Sequence, residues 1–196
     1  MPKAEETKAF IIERTASVFN KKGFVGTTLS DMEEVTGLTK GSIYNNFANK
    51  DEVALAVFEY NVKKVNDLID SEISKYDSAK EQLLSYVMVY GAKVFNSPFP
   101  SGGCPILNTA VESDDTHPEL KKKASDAVSA LMNKVANLIE KGIKQKEFRA
   151  SVSSKETATM IVASIEGAIM ISKVTGKVHY LKSVLNSIEK IVNDLK

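Results

Sequence analysis

The residues best suited to chemistry lie between positions 40 and 50. Lys40, Gly41, Ser42, Tyr44, Asn45 and Asn46 share the exposed side of a short segment whose Ile43 and Phe47, four apart, bury the other side. Ammonium, hydroxyl and amide groups donate hydrogen bonds to base edges and to phosphate oxygens, and no acidic group interrupts this set. Gly41 permits close backbone approach, and Lys50 adds a positive charge just beyond. Elsewhere the reactive groups are sparse. Cys104 is the single cysteine. It stands at or just before a helix start, where a thiol is activated, although a lone cysteine is more commonly a buried, inert side chain. Glu166 is a carboxylate inside an apolar stretch and so needs a partner, either a cationic ligand or a basic side chain. His117 and His179 lack metal-ligand spacing, and Gly102-Gly103 lacks the Lys-Ser/Thr that completes a phosphate-binding loop. The residues therefore imply no metal, no cofactor and no enzymatic centre.

The elements that must position these groups are helices. Phe10, Ile11, Thr15, Val18 and Phe19 recur at three- and four-residue steps, and Gly23 ends that first helix. A second short helix carries Leu29, Met32 and Val35, capped either by Thr28 with Asp31 or by Ser30 with Glu33, and Gly37 ends it. Thr39 caps a third, from Lys40 to about Phe47, and Asn49 caps a long fourth with Asp51 and Glu52 in its first turn. Helices are expected after Ser78, from Ile106 to about Glu112, from Pro118 to about Lys146, from Lys155 to Val174 and from Val178 to Leu195. A Pro- and Gly-rich break covers 96–105. No strand pattern of useful length appears, so the fold class is all-α.

Composition fits this reading. The 196 residues are 43% hydrophobic and 26% charged, with a net charge of +1. That is ordinary globular material, and it neither requires nor excludes nucleic acid, because a DNA reader needs a local basic face rather than a basic chain. The N-terminus has no signal-peptide core. The most apolar run, Met160 to Ile171, is short and interrupted by Glu166, so no membrane span is expected and the chain reads as cytoplasmic.

Two short helices around the tight turn Thr36-Gly37-Leu38-Thr39, preceded by an amphipathic helix, form the pattern of a helix-turn-helix. The runs Thr27-Thr28-Leu29, Gly37 through Phe47 and Asn49-Lys50-Asp51-Glu52 resemble the signature of the TetR family of bacterial regulators over about residues 7–60. The resemblance implies a three-helix DNA-binding domain at 1–50 followed by a helical ligand-binding and dimerisation domain at 51–196. It implies that Lys40, Gly41 and Ser42 face bases, and that Thr27, Thr28, Tyr44, Asn45, Asn46 and Lys50 hold phosphates. Many relatives carry an aromatic where this chain has Asn45 and Asn46, and Ala in place of Glu33. That carboxylate must point away from DNA or act as a cap.

The last helix bears a wide apolar stripe, and the one before it mixes small with β-branched residues. Ile161, Ile165, Ala168, Val184, Leu185, Ile188 and Val192 would either make a four-helix interface in a homodimer, as the resemblance implies, or close the core of one subunit. A two-fold dimer fits a palindromic double-stranded operator. Candidates for lining a pocket are Tyr86, Tyr90, Phe95, Phe99, Cys104, Asn108, Met132, Glu166 and Met170. Three functions are therefore open. One is a repressor, nucleoid-associated when bound to DNA, that a small apolar or amphipathic effector releases. Another is a DNA-binding redox or electrophile sensor switched at Cys104. The third is an all-helical small-molecule-binding protein without DNA function.

Overall fold

The computed structural model describes residues 3–93 and 102–196, so the pocket candidates Phe95 and Phe99 lie outside the described residues. Every regular element among the described residues is helical. They are α1 (Lys3–Gly26), α2 (Leu29–Thr36), α3 (Lys40–Tyr44), α4 (Lys50–Ile73), α5 (Ala79–Met88) with a π-helical turn at Val89–Lys93, α6 (Pro105–Ser113), α7 (Pro118–Lys144), α8 (Ser154–Thr175) and α9 (His179–Asn193).

The chain folds into two compact units, Met1–Lys64 with Pro98–Ser125 and Val65–Ser97 with Asp126–Lys196. This division differs from the boundary at residue 50 suggested by the motif. The reason is physical: α4 and α7 are continuous helices that pass through the division points, and α6 packs on α1.

In the first unit, Ile11, Phe19, Met32, Ile43, Phe47, Val53, Val57 and Phe58 form the core. Burial of these side chains drives the unit together at roughly 25 cal/mol per Å² of apolar surface. Local signals set the ends of its helices. Of the two possible caps for α2, the Thr28–Asp31 capping box forms. Hydrogen bonds from the Lys22 ammonium, the Thr28 backbone N–H and the Thr28 hydroxyl hold the Asp31 carboxyl down at about 2. Gly37 ends α2 in the left-handed region at φ 69°, and its N–H donates to the Glu33 carbonyl at 2.8 Å. Helix α3 is shorter than the sequence suggests. It ends at Tyr44, with Asn45 as its cap and Phe47 just beyond, buried.

In the second unit, Leu83, Tyr86, Val87, Leu131, Val135, Ile139, Ile161, Ile165, Leu181 and Ile188 are fully or almost fully buried. Helices α8 and α9 form a hairpin around Gly176, where the Leu181 N–H donates to the Ser172 hydroxyl at 3.0 Å. Taken whole, α8 is long and apolar enough to cross a membrane, a property that counting uninterrupted apolar runs misses. Here its inward stripe, Ala158, Ile161, Val162, Ile165, Ala168 and Ile169, is buried in protein.

The N-terminus of α5 is satisfied by a carboxylate from a distant part of the chain. Glu147 accepts from the Ala79 N–H at 3.1 Å, the Lys80 N–H at 2.9 Å and the Ser78 hydroxyl at 2.7 Å. Burial works to raise the Glu147 carboxyl, but the Lys80 N–H, the Ser78 hydroxyl and the Ala79 N–H outweigh it, and the group sits below its ordinary value of 4.5. A carboxyl depressed in the folded state stabilises above the unfolded value, and that contribution is lost as pH falls through the folded value. Glu147→Gln is therefore expected to cost about 1 kcal/mol at pH 7, and less in acid. Thermal melts of both proteins between pH 7 and 3 check this; a difference that stays constant below pH 4 would contradict it.

Candidate nucleic-acid interface

The first unit presents α3 on its surface. Thr39 starts the helix, its hydroxyl accepting from the Ser42 N–H at 3.3 Å. Thr36 tightens the preceding turn, with its hydroxyl donating to the Met32 carbonyl and accepting from the Leu38 N–H. Glu33 settles the question its charge raised: its carboxylate takes the Lys40 backbone N–H at 2.7 Å, so it caps the helix and is not a free anion on the surface. Ile43 is fully buried and anchors the helix from below.

That anchoring leaves Lys40, Gly41 and Asn45 exposed, and Ser42, Tyr44, Asn46 and Lys50 half-buried. A side chain at Gly41 would meet nothing closer than Thr39 Oγ1 at 4.0 Å. Internal packing therefore does not demand glycine there, and what glycine provides is a flat outer surface. Asn46 donates one of its two amide hydrogens to the Ser42 carbonyl at 2.9 Å. The Lys50 ammonium lies 4.6 Å from the centroid of the Phe24 ring, which fixes where that charge sits.

Thr27 differs from expectation. It is fully buried, and both its N–H and its hydroxyl donate to the Gly23 carbonyl. These two bonds close the turn after Gly23, so Thr27 supports the surface from beneath. Thr28 is exposed, and its hydroxyl is shared with Asp31.

The residues expected to line a pocket divide between the two units. In the second unit Tyr86 and Tyr90 stack, with ring centroids 5.6 Å apart, and the Tyr90 hydroxyl donates to Glu166. Met132 is half-buried on α7, whereas Met170 is 48% exposed and faces outward on α8. Cys104 and Asn108 belong to the first unit. Cys104 is fully buried and caps α6, its sulfur accepting from the Leu107 N–H, and the Asn108 amide is committed to Asn20 and Gly102. Among the described residues no cluster of His, Cys, Asp and Glu has the grouping of a metal site.

The residues expected at a dimer interface lie mostly on the face that packs inside the subunit. Ile161, Ile165, Ala168, Leu185, Ile188 and Val192 are buried within this subunit, and Val184 is half-buried. Their regular stripe is strong because it faces the subunit's own core. A second, sparser apolar face points outward, made of Met170, Ile171, Val174, Val178, Tyr180 and Ile191. Sequence reasoning also missed Phe24, His117 and Glu112, whose roles rest on contacts distant in the chain.

Comparisons with known proteins agree with this geometry. Residues 11–57 match the family of bacterial regulatory proteins named for tetR, and residues 79–188 match the tetracyclin repressor-like C-terminal domain. A TetR-family transcriptional regulator from Cytophaga hutchinsonii has 42% identity and a TM-score of 0.93, covering 100% of this chain and 98% of its own. An HTH-type transcriptional regulator in the lacX 3' region of Lactococcus lactis subsp. lactis is 27% identical over 184 residues, 90% of this chain and 88% of that protein. A cysteine mutant of CifR, a TetR-family regulator solved with 26 base pairs of double-strand operator DNA, has 17% identity and a TM-score of 0.79, covering 96% of each chain.

Proposed function

The chain belongs to the TetR family of bacterial regulators, a DNA-binding helix-turn-helix class, and on that premise we propose that it is a homodimeric, ligand-released repressor of a palindromic operator. The observation that carries this reading is the exposed face of α3, free of acidic groups, with Glu33 turned to the Lys40 N–H. Lys40, Gly41 and Ser42 face bases in the major groove, with Lys40 suited to guanine. Thr28, Tyr44, Asn45, Asn46 and Lys50 position the phosphates. Thr27, being buried, holds the turn beneath them.

The outward apolar face of α8 and α9 is the dimer contact in this reading. Two-fold symmetry places the two reading helices one DNA turn apart, ~34–36 Å. The effector is a small apolar or amphipathic molecule bound near Tyr86, Tyr90 and Glu166, where an aromatic wall adjoins one carboxylate. Binding favours a conformer whose reading heads no longer match adjacent grooves. Each tenfold of release needs ~1.4 kcal/mol of differential affinity between the two conformers. The protein works in the cytoplasm, on the nucleoid when bound to DNA. Burial and helix capping give Cys104 the part of a structural residue, which favours a ligand over a thiol switch.

The test is binding of the purified protein to its own upstream intergenic DNA at several salt concentrations, with Lys40→Ala and Tyr44→Ala alongside. Specific binding should fall steeply with salt and weaken roughly ten- to a hundredfold in Lys40→Ala, with discrimination at the contacted base relaxed. Tyr44→Ala should weaken all sequences alike. No specific binding, either to the upstream DNA or in a genome-wide selection, would instead support an all-helical small-molecule binder without DNA function.

A further inference from the structure

Behind the helix-turn-helix, α1 breaks at Gly23, where φ is 73° and ψ −179°. A break of that kind turns the next backbone N–H groups away from the helix ladder and leaves them in need of acceptors. One carboxylate supplies both. Glu112, near the end of α6, accepts from the Phe24 N–H at 2.8 Å and from the Val25 N–H at 2.9 Å. A Cβ at position 23 would collide with that carboxylate, so the glycine and the glutamate fit each other.

The same helix grips α1 a turn earlier, where the Asn108 amide donates to the Asn20 carbonyl and side-chain oxygen and to the Gly102 carbonyl. Asn20 in return donates to the Gly103 carbonyl. Asn108 and Glu112, four apart on one face of α6, therefore hold residues 20–25 from outside the motif.

Those residues lead into the phosphate-facing groups. Thr27 closes onto the Gly23 carbonyl, and Thr28 caps α2 immediately after. The Phe24 ring meets His117 edge-on, with centroids 4.8 Å apart, and carries the Lys50 ammonium over its face. His117 is itself fixed, its Nδ1 accepting from the Leu120 N–H and its Nε2 lying 3.0 Å from the Asp51 carboxylate. Glu112 thus sits at the head of a chain of contacts running through Phe24 to Lys50 and through Gly23 to Thr28.

We infer that Glu112 is a positioning residue for DNA binding: its carboxylate clasps the turn after Gly23 and holds Thr28 and Lys50 in register with the operator phosphates. The inference rests on the DNA-binding reading above and adds a residue that no motif contains. It also makes an expectation of unusual sign. By charge alone, removing an acidic group from a DNA-binding unit strengthens binding to a polyanion. A positioning carboxylate does the reverse.

The experiment measures operator affinity at three salt concentrations for the wild type, Glu112→Ala, Glu112→Gln and Lys50→Ala, together with hydrogen exchange of the Phe24 and Val25 amides in the free protein. Glu112→Ala should weaken operator binding roughly ten- to a hundredfold, the span that loss of charge-assisted hydrogen bonds gives. The salt slope should not shrink, because no phosphate contact is deleted, whereas Lys50→Ala should lower the slope by about one. Both amides should lose protection. Glu112→Gln, isosteric and with one oxygen still able to accept, keeps the fold and should recover part of the affinity. Glutamine and alanine variants that bind as well as the wild type, or more tightly, overturn the inference while leaving the DNA reading intact. A wild type that binds no operator overturns both. Unchanged protection of Phe24 and Val25 shows that the clasp does not govern this turn, and overturns the inference as well.

Discussion

Val174→Glu, on the outward face of α8, is expected to leave the subunit folded, convert the proposed dimer to a monomer and cut operator affinity by at least about a hundredfold. Val174 is 79% exposed in the single subunit, so a carboxylate there does little to the subunit's own core. In the proposed two-fold interface it sits among Met170, Ile171 and Val178, and symmetry introduces the substitution twice, once from each subunit. An uncompensated charge in such a place costs about 3–5 kcal/mol, and each 1.4 kcal/mol is roughly tenfold in affinity. Operator binding follows, because one reading head contacts only one half-site. Light scattering gives the oligomeric state, and titration with a full palindrome gives the affinity. A Val174→Glu protein that stays dimeric would move the interface off this face. The contrasting substitution is Ile165→Glu, inside the subunit, which should prevent folding altogether.

Gly23→Ala carries the other large effect, this time on stability and DNA binding together. The combination φ 73°, ψ −179° belongs to a region that only glycine occupies readily, and forcing another residue into it costs about 1–3 kcal/mol. The new methyl also displaces the Glu112 carboxylate and takes the acceptor from the part-buried Phe24 N–H, adding about 1 kcal/mol. Gly37 provides the control. It too has a positive φ, 69°, but its ψ of 11° lies in the ordinary left-handed region, and an added Cβ meets nothing within 4 Å. Gly37→Ala should therefore cost only about 1 kcal/mol. Urea unfolding of the three proteins decides the matter. If the two alanine variants are equally stable, the clasp by Glu112 contributes nothing.

Much of the architecture was legible because it is local. The helical period of Phe10 to Phe19, the Thr28–Asp31 and Thr39 caps and the glycines at 23 and 37 each act within a few residues of their own position. The helix-turn-helix follows from such signals, and so does the all-helical class. Glu33 was legible halfway: its charge ruled out a position against phosphate, but only the fold brings its carboxylate to the Lys40 N–H, seven residues on.

A periodic stripe shows that a face is buried but not what covers it. The stripe through Ile161, Ile165, Leu185 and Ile188 says that one face is buried, and burial against the same subunit leaves the same pattern as burial against a second one. Thr27 was likewise ambiguous in the sequence, since a hydroxyl shows no preference for phosphate over a carbonyl four residues back.

By itself, the sequence determined the helices, their caps and breaks, and the array of donors on α3, because propensity, capping and periodicity are written in neighbouring residues. The tertiary structure alone decided which apolar face is core and which is free, and how Glu147 reaches α5 across 67 residues. It also decided that Glu112, 88 residues from Phe24, holds the turn behind the reading helix. A hydrogen bond between distant residues has no period and no local signature. It exists only once burial of the cores has brought the two backbones together.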